Sequence, residues 1–178
     1  MRNRLGFAYP LFTRNAFAIP ALVLLMAGSL TACTTDGGAS NGASGSTSVA
    51  LPTVTGAQGE PPTIGAPSGN APKTLQIKDI YLGSGAEAQA TSTLTVHYTL
   101  MAWSTGKVVE SSWSSGGQPA TFPLNQVIQG WQQGIPGMKV GGRRLLVIPP
   151  DLGYGNQAAG PIAANETLIF VVDLVGVN

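Results

Sequence analysis

The alternation of apolar and polar positions over the C-terminal part of the chain predicts a sheet of short strands. Residues 93–100 (TLTVHYTL) alternate cleanly, which is typical of a strand with one buried face. Residues 75–82 follow the same pattern with one slip in phase. Residues 168–175 (LIFVVDLV) are apolar on both sides, which predicts a central strand covered on both faces. Further short strands are predicted at residues 107–110, 121–124 and 143–148.

One segment departs from this strand pattern. Between residues 127 and 138 the apolar side chains recur at the spacing of one helical face: Val127, Ile128, Trp131 and Ile135. Two glycines and a proline in the same segment disfavour a helix, so we expect a short one. The predicted fold class is α+β, a twisted antiparallel sheet of five or six strands wrapped around one short helix.

The first 33 residues have the pattern of an export signal. Three arginines and no acidic residue accompany an apolar run, residues 16–30, that is shorter than the roughly 20 residues of a membrane-spanning helix. The run ends in Leu30-Thr31-Ala32-Cys33, which resembles the lipobox of bacterial lipoproteins. We therefore expect lipid attachment at Cys33 and a membrane anchor in the bacterial cell envelope, with the protein facing the periplasm or the exterior. An uncleaved anchor is the alternative.

Two further regions follow the predicted signal. Residues 34–72 contain only seven residues other than Gly, Ser, Thr, Pro, Ala and Asn, which predicts a disordered linker. Residues 73–178 hold all three tryptophans, the single histidine and the strand pattern, which predicts one domain.

Composition excludes several kinds of chemistry. The chain has a net charge of +1 and no basic run, so nothing indicates a nucleic-acid partner. One Cys and one His cannot form a zinc site, and the carboxylates are scattered, so we expect no metal and no cofactor. His97 falls on the polar face of its strand and is interpreted as a surface residue rather than a base. Any catalysis by this domain is expected to depend on binding and desolvation.

A set of short motifs carries a resemblance to a known family. In chain order the motifs are Val96–Thr99 (VHYT), Val109–Ser112 (VESS), Phe122–Leu124 (FPL), Val127–Trp131 (VIQGW), Gly137–Gly142 (GMKVGG), Ile148–Pro150 (IPP), Leu152–Gly155 (LGYG) and Thr167–Phe170 (TLIF). Together they resemble the FKBP-type peptidyl-prolyl cis/trans isomerases over about residues 75–176. The resemblance implies an antiparallel half-barrel of five or six strands around a short helix.

The resemblance also implies roles for individual residues. Trp131 would form the floor of a pocket for the proline ring, and the backbone N–H of Ile128 and the hydroxyl of Tyr154 would donate hydrogen bonds to substrate carbonyls. Together with Tyr98, these are the expected catalytic residues. The expected substrate-binding residues are Val109, Glu110, Phe122, Val127, Ile162 and Phe170. The implied partners are proline-containing peptides, unfolded exported proteins and macrolide ligands.

The sequence departs from the family pattern around the predicted pocket. Val109 stands where the family usually has Phe, and Glu110 where it usually has Asp. No arginine follows within residues 114–117, and Ile162 is followed by two alanines rather than two prolines. We therefore expect weaker activity or an altered preference before proline, and weaker macrolide binding. The function predicted first is an isomerase that assists the folding of exported proteins, and the alternative is a weakly active or inactive binding module or holdase tethered to the envelope.

Overall fold

The computed structural model describes residues 50–114 and 116–178. These residues form eight strands, one α-helix and two short 3₁₀ turns at Leu124–Gln126 and Pro150–Leu152. The strands and helix in chain order are β1 (Val54–Thr55), β2 (Thr63–Ile64), β3 (Gln76–Tyr81), β4 (Thr93–Ala102), β5 (Val108–Ser111), β6 (Ala120–Pro123), α1 (Gln129–Gly134), β7 (Arg143–Ile148) and β8 (Leu168–Val177).

Six of these strands form one antiparallel sheet, which confirms the predicted fold class. The order is β3-β7-β8-β4-β5, and β6 pairs with the first part of β4. The long strand β4 therefore has β8 along one side and both β5 and β6 along the other. The phase slip in the sequence of β3 corresponds to a β-bulge between Asp79 and Tyr81. Strand β8 is central, as its two apolar faces predict.

The helix is shorter than the predicted segment 127–138, and its glycines explain how it lies so close to the sheet. A Cβ atom at Gly130 would come within 2.4 Å of Ile148 Cγ2, and one at Gly134 within 2.8 Å of Leu146 Cδ2. Glycine at these two positions lets α1 contact β7 directly. The two residues that weaken the helix by propensity are thus the ones its packing requires.

The alternate residues of the strands form two hydrophobic clusters on opposite faces of the sheet. The cluster on the helix side, which we call the inner cluster, includes Leu94, Val96 and Leu100 of β4 together with Trp131 of α1 and Phe170 of β8. The cluster on the other side, the outer cluster, is formed by Ile64, Met101, Trp103, Leu145, Val147, Ile169 and Val171.

The outer cluster is covered by residues 51–71, which we call the strap. Within the strap, β1 and β2 pair as a two-stranded antiparallel sheet. Ile64 is only 9% exposed, and Leu51 and Val54 pack beside it against the outer cluster. The prediction of a disordered linker is therefore wrong over the strap. Its few apolar side chains do not form a core of their own but complete one that the sheet already provides.

Polar contacts fasten the strap to the sheet. Arg143, which is fully buried, donates to the carbonyl oxygens of Gly56 (3.3 Å) and Glu60 (2.6 Å) and to Asp173 Oδ1 (2.7 Å). The Tyr81 hydroxyl donates to the Gly56 carbonyl at 2.8 Å. The strap is thus part of the folded domain.

The predicted export signal, Cys33 and residues 34–49 of the predicted linker lie outside the described residues. Within the part that the structure describes, no helix is long and apolar enough to cross a membrane.

Candidate functional site

A cavity of about 440 Å³ borders the inner cluster, between the helix and the sheet. Its walls come from β4, β5, β6, β8, the start of α1 and the loop after Pro150–Leu152. Ten residues line it: Tyr98, Leu100, Glu110, Phe122, Gln126, Val127, Ile128, Trp131, Tyr154 and Phe170. Glu110, Gln126 and Tyr154 are exposed, and they form its rim.

Trp131 is held by three aromatic rings that meet it edge to face. The ring centroids of Phe170, Tyr98 and Phe122 lie 5.3, 5.9 and 6.1 Å from that of Trp131, with interplanar angles between 82° and 89°. The Trp131 indole N–H is buried and has no hydrogen-bond partner among the described residues, so packing rather than hydrogen bonding holds the side chain. The residue is 4% exposed and still lines the cavity.

Tyr98 and Glu110 are joined by a short hydrogen bond. The Tyr98 hydroxyl donates to Glu110 Oε1 at 2.6 Å. Burial raises the pKa of the Tyr98 hydroxyl, and the hydrogen bond to Glu110 and the charge of Glu110 raise it further. Tyr98 therefore keeps its proton at physiological pH and remains a hydrogen-bond donor.

The backbone at Tyr98 is fixed by Ser112. The Tyr98 N–H donates to Ser112 Oγ at 3.0 Å, and the Ser112 N–H donates to the Tyr98 carbonyl at 3.0 Å. His97, the next residue, has a half-buried ring that stacks on Trp113 with centroids 3.8 Å apart. The predicted surface histidine therefore supports the strand from the outer face.

Tyr154 is carried by a loop whose two ends are anchored. Gly155, which follows it, has φ of 62°, donates its N–H to the Pro150 carbonyl and accepts from the Asn165 N–H, each at 2.8 Å. The buried carboxylate of Glu166 accepts from the N–H and the hydroxyl of Ser104 at 2.9 and 2.5 Å. Tyr154 is 42% exposed in this loop, so its hydroxyl is accessible at the rim.

Ile128 occupies the position just before α1. Its carbonyl accepts from the Trp131 N–H at 3.0 Å, which starts the helix. Its own N–H has no hydrogen-bond partner among the described residues. A free backbone donor therefore lies on a residue that lines the cavity.

The structure brings most of the predicted site residues together. All four predicted catalytic residues line the cavity, as do Glu110, Phe122, Val127 and Phe170. Val109 and Ile162 do not. Val109 is half-buried, packs against the inner cluster and is not among the residues that line the cavity. Ile162 is buried in that cluster, held by paired backbone hydrogen bonds with Ala159.

Two lining residues were not predicted. Leu100 lies two positions after Tyr98 on the same face of β4, so the alternation of the strand already pointed to it. Gln126 belongs to the 3₁₀ turn before α1, and neither its residue type nor its spacing gave a signal.

The arrangement suits binding of an apolar group more than proton transfer. Glu110 is the one ionisable carboxylate among the lining residues, and Tyr98 holds its proton. No group of three or more His, Cys, Asp or Glu side chains in the described ranges could hold a metal ion. The cavity offers an aromatic floor and a few hydrogen-bond donors at its edge.

Comparison with known proteins agrees with this geometry. The family model described as FKBP-type peptidyl-prolyl cis-trans isomerase matches residues 85–175. The chain is 49% identical over 116 residues to a "Probable FK506-binding protein" of Corynebacterium glutamicum, an alignment that covers 65% of this chain and 98% of that protein. It is 41% identical over 108 residues to "Outer membrane protein MIP" of Legionella longbeachae, covering 60% of this chain and 46% of that one.

A solved structure has the same fold. The crystal structure of FkpA from Escherichia coli matches with a TM-score of 0.55 and 36% sequence identity. The match covers 58% of this chain and 48% of that chain, so it concerns the sheet-and-helix domain rather than either whole protein.

Proposed function

Since the chain belongs to the FKBP-type peptidyl-prolyl cis-trans isomerase family, we propose that the aromatic cavity binds the proline of its substrates and turns the X–Pro bond there. The observation that carries this proposal is the position of Trp131 at a cavity of about 440 Å³, held by three aromatic rings. A proline ring is apolar and compact, and such a floor gives it a flat surface to pack on.

The proposed mechanism needs no covalent step and no proton transfer. Rotation about a peptide bond costs about 18–20 kcal/mol because resonance stiffens the C–N bond. The twisted transition state loses that resonance, and its carbonyl oxygen carries less charge than in the planar amide. An apolar cavity therefore stabilises the twisted form relative to the planar one. A barrier lower by roughly 5–7 kcal/mol would give about 10⁴–10⁵-fold acceleration.

Two hydrogen-bond donors would hold the peptide while the bond turns. We assign the free N–H of Ile128 and the exposed hydroxyl of Tyr154 to substrate carbonyls on either side of the proline. Fixing the neighbouring carbonyls leaves the X–Pro bond as the torsion that changes. Tyr98, Phe122, Val127 and Phe170 would form the walls, while Val109 and Ile162 would support them from the inner cluster.

An isomerisation assay on the full-length chain in detergent tests this assignment. We expect a proline-containing tetrapeptide to isomerise much faster than in buffer, with Tyr154→Phe lowering kcat/KM modestly because one donor is lost. A solvent isotope effect close to unity is also expected, since no proton moves. Normal turnover by both Tyr154→Phe and a Trp131 variant would contradict the pocket assignment.

The same assay decides the alternative function. A chain that binds unfolded protein but accelerates no proline peptide would be a holdase rather than a working isomerase. The short Val109 side chain and the glutamate at position 110 are the features that favour this alternative. They also underlie our expectation of weak macrolide binding, because both residues differ from those usual in the family at these positions.

We further propose that the protein acts on exported proteins from the cell envelope, anchored through a lipid on Cys33. The lipobox-like Leu30–Cys33 sequence supports this, as does the similarity to a relative whose name places it in an outer membrane. Replacing Cys33 by Ser should release the protein from the membrane fraction and abolish incorporation of labelled fatty acid. Retention of Cys33→Ser in membranes would favour an uncleaved anchor instead.

A further inference from the structure

We propose that Glu110 makes this cavity select proline peptides with a cationic side chain immediately before the proline. The inference rests on the proposed function, because it assumes that the X–Pro segment occupies this cavity. It adds a substrate class, namely peptides with Lys or Arg adjacent to proline, and it assigns that preference to one carboxylate at the rim.

Glu110 is the one charged residue among the ten that line the cavity. The rest of the lining is aromatic, aliphatic or, at Gln126, a neutral amide. A lone carboxylate beside an apolar wall gives the mouth of the cavity a negative potential that no neighbouring lining residue offsets.

The basic residues of the described chain do not neutralise this carboxylate. Arg143 is paired with Asp173 under the strap, and Arg144 is paired with Asp79 and donates to the Gly134 carbonyl. Neither of the two ion pairs found among the described residues includes Glu110, and no lysine lines the cavity. The carboxylate is therefore available to a cation brought by the substrate.

The geometry orients Glu110 and leaves one of its oxygens free. Oε1 accepts the hydrogen bond from Tyr98, while Oε2 has no hydrogen-bond partner among the described residues. Glu110 pairs with Leu100 of β4, and β5 is the last strand in the order of the sheet. The side chain is exposed at this edge and borders the cavity.

A lysine or arginine next to the proline matches this arrangement in length as well as in charge. Its methylene stem can lie along the apolar wall while its charged head reaches Oε2. Since the pair is solvent-exposed, we expect a gain of only about two- to fivefold in kcat/KM, and less at high salt. A glutamate in the same peptide position should be disfavoured by repulsion.

The test compares two peptides that differ in charge but share an aliphatic stem, with Lys or norleucine before the proline. The full-length wild type is assayed beside Glu110→Gln, which keeps an oxygen for the Tyr98 hydroxyl, and Glu110→Asp, which keeps the charge. Glu87→Gln, which removes an exposed carboxylate outside the cavity, is the matched control.

We expect the Lys-to-norleucine ratio of kcat/KM to be about two- to fivefold higher in wild type and Glu87→Gln than in Glu110→Gln. Glu110→Asp should keep most of the preference, and about 0.5 M salt should reduce it. If wild type and Glu110→Gln have equal ratios, and wild type isomerises the norleucine peptide well above the buffer rate, this inference is overturned and the proposed function stands. A norleucine peptide that isomerises only at the buffer rate would overturn both.

Discussion

The two faces of the central sheet are made by alternate residues of the same strands, yet they are completed in opposite ways. On the inner face, a helix of six residues covers the cluster only partly and leaves a cavity of about 440 Å³ with an exposed rim. On the outer face, the strap packs over Met101, Trp103 and Ile169, and the cavity lined in part by its Gln58 and Gly59 is smaller, about 240 Å³. The element that covers each face, more than the strands themselves, therefore decides how much space the face leaves for a ligand.

The charges on the two faces show the same contrast. Arg143 on the outer face is fully buried, and its guanidinium donates hydrogen bonds to Asp173 and to two strap carbonyls. Its guanidinium carbon lies 5.7 Å from the centroid of the Tyr81 ring. Glu110 on the inner side is exposed and keeps one oxygen free. A satisfied buried charge serves the fold, whereas an unsatisfied exposed one is available for recognition.

Removing the polar contacts of the outer face should have the largest effect on stability and little effect on activity. Arg143→Ala would leave the Asp173 carboxylate buried without its cation and would detach the strap from the sheet. We expect the free energy of unfolding to fall by about 3–5 kcal/mol. The kcat/KM per folded molecule should stay near the wild-type value, since Arg143 does not line the cavity.

Chemical denaturation and a peptide assay on the same samples check this pair of expectations. Lys107→Ala, which removes an exposed cation from the β4–β5 turn, is the control and should change stability by less than about 0.5 kcal/mol. A loss of activity as large as the loss of stability would show that the two faces are not separable.

Disrupting the packing of the inner face should reduce stability and activity together. Trp131→Ala removes the ring that Tyr98, Phe122 and Phe170 pack around, so we expect a loss of about 3 kcal/mol in stability. That figure is at the low end for a buried tryptophan because one side of the residue borders the cavity rather than other atoms. Activity per folded molecule should fall by roughly tenfold or more as the substrate loses its orienting floor.

The measurement is kcat/KM at a temperature where the variant is fully folded, together with its unfolding curve. If Trp131→Ala keeps the wild-type kcat/KM, the indole has no role in the proposed site, however much stability the variant has lost.

The inner face was predictable from sequence because its signals are local. The alternation of residues 93–100 places Tyr98 and Leu100 on one side, and the motif around Trp131 lies within a few residues of Ile128. Val109 and Ile162 were predicted from the family pattern alone. In the structure neither residue lines the cavity: Val109 packs against the inner cluster, and Ile162, held by the Ala159–Ile162 backbone hydrogen bonds, is buried in it.

The strap was missed because nothing in its own sequence is periodic. Leu51, Val54 and Ile64 are separated by small and turn-forming residues, and the groups that hold them are far along the chain, such as Arg143, 83 positions after Glu60. An indirect signal was present in residues 168–175, which are apolar on both faces. A strand of that kind requires a cover on each side, and the helix alone could supply only one.

A smaller change tests whether the strap contributes packing as well as hydrogen bonds. Ile64→Val removes one buried methylene from the outer cluster and should cost about 1 kcal/mol. Ile77→Val is the matched control, since Ile77 is 46% exposed and the same change there should be nearly neutral. Equal effects in thermal or chemical unfolding would mean that Ile64 is not tightly packed between the strap and the sheet, contrary to its 9% exposure.

The smallest effect concerns how pH changes the stability contributed by Asp173 on the outer face. Burial raises the pKa of Asp173, and this outweighs the hydrogen bond and charge of Arg143 and the charge of His97, which lower it. In the window between the unfolded and folded pKa values, the folded chain therefore holds a proton on Asp173 that the unfolded chain has lost. The stability from this group is full below the unfolded pKa and is lost as pH rises through the folded one.

Asp173→Asn cannot titrate, so its free energy of unfolding, measured by denaturant titration from about pH 4 upwards, should fall less steeply with pH than that of wild type. Parallel curves would contradict the raised pKa of this carboxyl, whereas a flatter curve for Asp173→Asn would support burial beside the strap as the cause that keeps the proton on Asp173.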